Sequence, residues 1–166
     1  MTEVVRSPAL AAALEIAEHA ARAAATILQG CGARCLKVVV DDVHDLKVEA
    51  DRVADDAISE ILRAGSGWPV LSEERGFSGP DPAFSDADWC WIVDPLDGTI
   101  NFARAIPLWC ISIGLYRHQQ PVLGVVFLPT QGELFTGIVK DGARLNGEPI
   151  RVSVTPRAAD GILCTG

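Results

Sequence analysis

The run Trp91, Ile92, Val93, Asp94, Pro95, Leu96, Asp97, Gly98, Thr99, Ile100, Asn101, Phe102 carries the residue types with the clearest chemistry in the chain. A strand that ends at Asp94, a bend at Pro95 and a second aspartate three residues later let both carboxylates converge on one side of a turn. Two ionised carboxylates ~4–6 Å apart repel each other. A hard divalent cation relieves that repulsion; Mg²⁺, with Mn²⁺ as a substitute, takes oxygen ligands and keeps part of its water shell. The Leu96 carbonyl adds a neutral oxygen donor. Gly98 allows close backbone approach, and a helix starting near Thr99 would turn free N–H groups toward an anion such as phosphate, with the Thr99 hydroxyl beside it. The same hexapeptide also suits a plain structural role, with Asp94 opening a turn and Asp97 capping a helix.

Glu73 and Glu74 follow another short apolar run, so a carboxylate there can reach the same cleft. Adjacent residues on an extended chain point to opposite sides, so one of the pair is expected to face the cleft while the other is solvated or paired. Asp51 lies in the first turns of a second helix, where an acidic residue also has an electrostatic reason to be.

The elements that must position these groups follow from periodicity. Leu10, Leu14, Ala17, Ala21, Ala24 and Leu28 recur at helical spacing between Ser7 and Gln29, before Gly30 and Gly32. Leu36 to Val40 is a short β-branched run, and Asp41, Asp42 and Asp45 lead into a second helix. Its face is read as Val53, Ala57, Ile58, Ile61 and Leu62, ended by Gly65 and Gly67. Trp68 to Leu71 reads as a buried strand and Arg75 to Asp88 as a loop. Trp89 to Val93 reads as a strand stopping at Asp94. Ile111 to Tyr116, Val122 to Leu128 and Glu133 to Val139 suggest an antiparallel meander, with a hairpin turn at Asn146 and Gly147 before Pro149 to Val154. The expected fold class is α+β, two N-terminal helices packed on an antiparallel sheet. Ile162 to Cys164 reads as the start of a further element.

The chain has 166 residues, 49% of them hydrophobic and 22% charged, which suits one globular domain and excludes a disordered chain. With 14 Lys plus Arg against 22 Asp plus Glu, the net charge is −8. No basic cluster is present to hold a nucleic-acid backbone, so a nucleic-acid polymer is not an expected partner. No segment reaches the ~18 apolar residues of a membrane span, and no membrane partner is expected. The five cysteines, Cys31, Cys35, Cys90, Cys110 and Cys164, are odd in number and irregular in spacing, and are read as free thiols in a reducing compartment. Met1 to Pro8 does not resemble a signal peptide, so the expected location is cytoplasmic.

Taken together, Trp91 to Phe102, Ser72 to Glu74 upstream, Pro107 downstream, and the later stretches Gly124 to Pro129, Glu133 to Thr136 and Gly142 to Val152 resemble the inositol monophosphatase family of Mg²⁺-dependent, lithium-sensitive phosphatases. The resemblance covers essentially the whole chain. It implies the N-terminal half of a layered αβαβα sugar-phosphatase fold, commonly a homodimer. It also implies that Glu73, Asp94 and the Leu96 carbonyl hold one Mg²⁺ and that Asp94 and Asp97 share a second. Thr99, hydrogen-bonded to Asp51, would orient a water, and the amides of Gly98 and Thr99 would contact the phosphate. Two positions depart from the family pattern. Val48 stands where a threonine is usual, and Val40 stands near the place of a lysine, with Lys37 three residues away.

Family members continue through a further half that supplies another metal ligand and the substrate's remaining contacts, so residues 1–166 are expected to form the N-terminal part of a longer fold. The implied substrate is inositol monophosphate or a related small polyol or sugar phosphate. Bisphosphate nucleotides, histidinol phosphate and fructose bisphosphate belong to the same superfamily, although Asn101 and Phe102 resemble the inositol branch. A metal-binding domain without catalysis is the alternative from another class.

Overall fold

A computed structural model describes residues 8–31, 38–42, 45–79 and 83–162 of the chain. Cys35, Lys37, Leu163 and Cys164 lie outside these residues, as do the side chains of Val40, Asp41, Asp42, Asp45, Lys47 and Val48. The element order is α1 (Pro8–Gly30), β1 (Val38–Asp42), β2 (Asp45–Val48), α2 (Glu49–Ser66), β3 (Val70–Ser72), β4 (Gly76–Ser78), β5 (Trp89–Asp97), α3 (Thr99–Ala103), β6 (Cys110–Arg117), β7 (Gln120–Leu128), β8 (Glu133–Ile138), β9 (Gly142–Leu145) and β10 (Glu148–Ile150).

Alanine has the highest helix propensity and the smallest side chain. Ala13, Ala17, Ala20, Ala21 and Ala24 of α1 are therefore both helix-forming and buried, which lets α1 pack closely on α2 and on β6 and β7. The buried face of α2 is Ala50, Asp51, Ala54, Asp55, Ile58, Ser59 and Leu62. This corrects the face expected from apolar spacing. Ile58 and Leu62 belong to it, but Val53 is 39% exposed. Small alanines bring α2 close to β3 and β5, and that orientation turns two aspartates inward.

Eight strands form one mixed sheet in the order β10-β9-β8-β7-β6-β5-β3-β4, and β1 and β2 make a separate antiparallel pair. The α+β class is as expected, and the sheet is antiparallel except at one place. β3 and β5 are parallel, with Val70 opposite Trp91 and Ser72 opposite Val93. The chain reverses through β4, inside the stretch read as loop, and β5 then runs the same way as β3.

β5 also continues past Asp94 to Asp97. Pro95 has no N–H to give the ladder, but β6 extends as far as Cys110 and pairs with Asp97 across a register irregularity between Asp94 and Asp97. The chain can therefore bulge there without leaving the sheet. β6, β7 and β8 form the expected meander, in which alternate residues point to the core. Asn146 and Gly147, with φ of 50° and 86°, make the expected hairpin turn between β9 and β10. The last strand is shorter than expected, ending at Ile150, and Val152 and Val154 are almost fully exposed.

The core lies between the helices and one face of the sheet, around Leu28, Ile58, Leu62, Trp91, Ile111, Ile113 and Leu115. Cys31 is disulfide-bonded, which corrects its reading as a free thiol, whereas Cys90 and Cys110 are thiols outside any disulfide. Among the described residues no helix is long and apolar enough to cross a membrane.

Candidate active site

The parallel pair β3 and β5 delivers two chain segments to the same end of the sheet. β3 ends at Ser72, and Glu73 follows in a turn whose N–H donates to the Val93 carbonyl at 3.1 Å. That bond ties Glu73 beside Asp94, the next residue of β5. Asp94 is half-buried and accepts a hydrogen bond from the Leu96 N–H at 3.1 Å, which folds the Asp94–Pro95–Leu96 turn over its own carboxylate.

Burial pushes the Asp94 carboxyl up to about 7, with the Glu73 and Asp97 charges acting in the same direction against the Leu96 amide. Among the described residues no arginine pairs with Glu73, Asp94 or Asp97. The donor set is therefore acidic, made of hard oxygen and short of positive charge, which is the chemistry a Mg²⁺-type ion fits. The carboxylates meet pairwise around Asp94. Among the described residues no three His, Cys, Asp or Glu side chains gather tightly enough to hold an ion alone. Mg²⁺ ordinarily retains several waters, which can complete such a partial set.

Gly98 caps α3 with φ of 93°, and a Cβ there would lie 2.9 Å from the Leu108 carbonyl oxygen. Both the left-handed backbone and the close approach require glycine. Thr99 begins α3, as expected, and its hydroxyl donates to the Leu96 carbonyl at 3.1 Å. The proton thus goes to Leu96 and not to Asp51. Asp51 sits in the first turn of α2 at 2% exposure.

Two residues near this site were not singled out by sequence reasoning. Cys110 donates to the Asp97 carboxylate at 3.5 Å, and burial, with the Asp97 charge, pushes its thiol up to about 12. Only the bulged register of β5 on β6 brings it there, so no local signal exists. Asp55 is completely buried. Its signal was present, since Asp51, Asp55 and Ser59 recur every four residues along one helical face.

The fold and the cluster define an α+β protein with an acidic, all-oxygen site where a parallel strand pair meets a glycine-capped turn. Comparison with known proteins agrees: the family model described as the inositol monophosphatase family matches residues 9–166, and the chain belongs to that family. It is 44% identical over 123 residues to an inositol-1-monophosphatase of Synechocystis, covering 74% of this chain and 42% of that protein. It is 36% identical to inositol monophosphatase 1 of Solanum lycopersicum over 98% of this chain and 59% of that one. The crystal structure of the extragenic suppressor protein SuhB from Bartonella henselae superposes with a TM-score of 0.79 at 33% identity, over 88% of this chain and 56% of that one. The chain thus spans about half the length of these relatives.

Proposed function

We propose that this chain carries the metal-binding half of a Mg²⁺-dependent phosphomonoesterase acting on inositol monophosphate or a related small polyol or sugar phosphate. The observation that carries this reading is Asp94, which burial and the nearby Glu73 and Asp97 charges hold up to about 7, with no arginine paired to any of the three among the described residues. Glu73, Asp94, Asp97 and the Leu96 carbonyl are the proposed metal ligands.

When bound there, Mg²⁺ neutralises phosphate oxygens, lowers the pKa of water and stabilises the leaving alkoxide. The chain's own contribution is positional. The Val93 carbonyl holds the Glu73 backbone against β5, and the Leu96 amide holds the Asp94 carboxylate. Thr99 keeps its hydroxyl proton on the Leu96 carbonyl, so its oxygen lone pairs remain to accept a hydrogen bond from an attacking water and orient it. Asp51, buried in the first turn of α2, is the carboxylate that would orient that water together with Thr99. Gly98, whose left-handed backbone packs against Leu108 and Trp109 as only glycine can, would present the amides of residues 98 and 99 to the phosphate.

Phosphate release from inositol monophosphate with Mg²⁺ tests the reading, using the protein and its Asp94→Asn variant. Turnover that is lost in the variant supports it. Turnover retained in Asp94→Asn, or Mg²⁺ binding that Asp94→Asn leaves unchanged, contradicts it. The same assay with fructose bisphosphate and a bisphosphate nucleotide sorts the substrate class.

A further inference from the structure

The least expected group near the site is Asp55. It lies on the inner face of α2 with 0% exposure, and its Oδ2 is a buried oxygen without a hydrogen-bond partner. Burying a carboxylate costs free energy unless its surroundings compensate, and here burial raises its pKa while nearby Ser72, Arg75 and Ser59 offset part of the shift. Ser59 donates to Oδ1 at 3.4 Å from one helical turn away, and Arg75 Nε stands 3.7 Å from Oδ2. Ser72 and Arg75 flank Glu73 and Glu74 in sequence, so Asp55 sits against both ends of the turn that carries Glu73.

Ser72 is 4% exposed, and its Oγ accepts the Glu74 N–H at 3.1 Å. Ser72 also acts on the Asp55 carboxyl, whose pKa it lowers. Arg75 is anchored further by the neighbouring Asp56, with both carboxylate oxygens 2.6 Å from one guanidinium nitrogen. From the other side, the Glu73 N–H is tied to Val93. The turn is thus held by β5 above and by two consecutive aspartates of α2 below.

We propose that Asp55 is a positioning residue: through Ser72 and Arg75 it fixes the turn on which Glu73 stands, and so sets the aim of that carboxylate toward Asp94. This rests on the reading of Glu73 as a metal ligand. Partners in the second layer of a metal site orient the ligands and change affinity without touching the ion.

Ser59 provides the control, because it hydrogen-bonds the same carboxylate but lies on α2, away from the turn. Asp55→Ala, Ser72→Ala and Ser59→Ala are compared in the full chain by thermal melting, amide exchange at Glu74 and calorimetric Mg²⁺ titration. In Ser72→Ala the Glu74 amide is expected to exchange about fivefold faster, for loss of one ordinary hydrogen bond. Mg²⁺ affinity is expected to fall about tenfold in Ser72→Ala and Asp55→Ala. Ser59→Ala is expected to lower the melting temperature while leaving both site readouts unchanged.

Asp55→Ala and Asp55→Asn are expected to speed Glu74 exchange and weaken Mg²⁺ binding where Ser59→Ala does not; if they match Ser59→Ala in both readouts, Asp55 is a structural residue only and the proposal is wrong. Should Asp55→Ala not fold, Asp55→Asn, which keeps the volume and removes the charge that faces Arg75 at 3.7 Å, decides by the same two readouts. If the wild-type chain binds no Mg²⁺, the reading of the metal site fails, while the Glu74 exchange still tests whether Asp55 orders the turn.

Discussion

The central meander of the eight-stranded sheet and the β3–β5 end are built on opposite principles. In the antiparallel meander β6 to β8, alternate side chains such as Ile111, Ile113, Leu115, Val125 and Leu134 enter the core, and every local choice favours the fold. At the parallel pair β3 and β5, the strands end in carboxylates that repel one another, and α2 presents two buried aspartates to the same region. Where local rules agree, the sheet is stabilised. Where they are broken, in a cluster and not at scattered points, a binding function is the physical explanation.

The largest expected effect lies in the meander. Leu115→Ala leaves a cavity beneath α1 and should cost about 2–5 kcal/mol in chemical denaturation, without changing the site's ligands. At the β3–β5 end, Gly98→Ala forces a side chain into a left-handed backbone against the Leu108 carbonyl. It should cost roughly 1–3 kcal/mol and also weaken phosphate binding, measured by calorimetry. A matched change in the β9–β10 turn, which braces the start of β8, sharpens the contrast. Asn146→Ala removes the hydrogen bonds to the Leu134 amide and the Gly132 carbonyl and should cost about 1–2 kcal/mol with Mg²⁺ affinity unaltered. Equal effects of Gly98→Ala and Asn146→Ala on ligand binding would erase the distinction between the two regions.

The smallest effect is a pH dependence. The folded-state pKa of Asp94 is raised to about 7 and that of Asp55 is raised as well. Both carboxyls therefore favour the fold most below their unfolded pKa, near 4. That contribution is lost as pH rises toward and through 7. Without metal, the melting temperature should fall between pH 5 and pH 8, by an amount equivalent to on the order of 1 kcal/mol once solvent screening of the half-buried Asp94 is allowed for. Mg²⁺ should restore stability at pH 8, where the carboxylates are ionised. A metal-free protein that gains stability across this range would reverse the assignment.

Much of this contrast is legible in the residues. The meander follows from alternation, and the Asn146–Gly147 turn from the need for positive φ. The helix start at Thr99, and the approach of one residue of the Glu73–Glu74 pair to Asp94, follow from spacing and strand ends, while the choice of Glu73 comes only from the family resemblance. Tertiary context hides the rest. Apolar counting places Val53 and Ala57 inside and the aspartates outside, because the sequence alone does not show that Ala50 and Ala54 bring α2 against the sheet. Asp94 and Pro95 look like a strand end because only the continuation of β6 reveals that the ladder bulges and goes on. The Cys110–Asp97 contact depends on that bulge. The disulfide at Cys31 has no signature in an odd set of irregularly spaced cysteines.

The central claim is that Glu73, Asp94 and Asp97 form a divalent-cation site. Calorimetric Mg²⁺ titration of the wild-type chain at pH 7, repeated in buffers of different ionisation enthalpy, tests it most directly. The expected result is saturable binding with a buffer-dependent heat, as the cation displaces the proton Asp94 retains up to about 7, and loss of both the binding and the buffer dependence in Asp94→Asn. Binding of equal strength in wild type and Asp94→Asn, or no binding by the wild type, would contradict it.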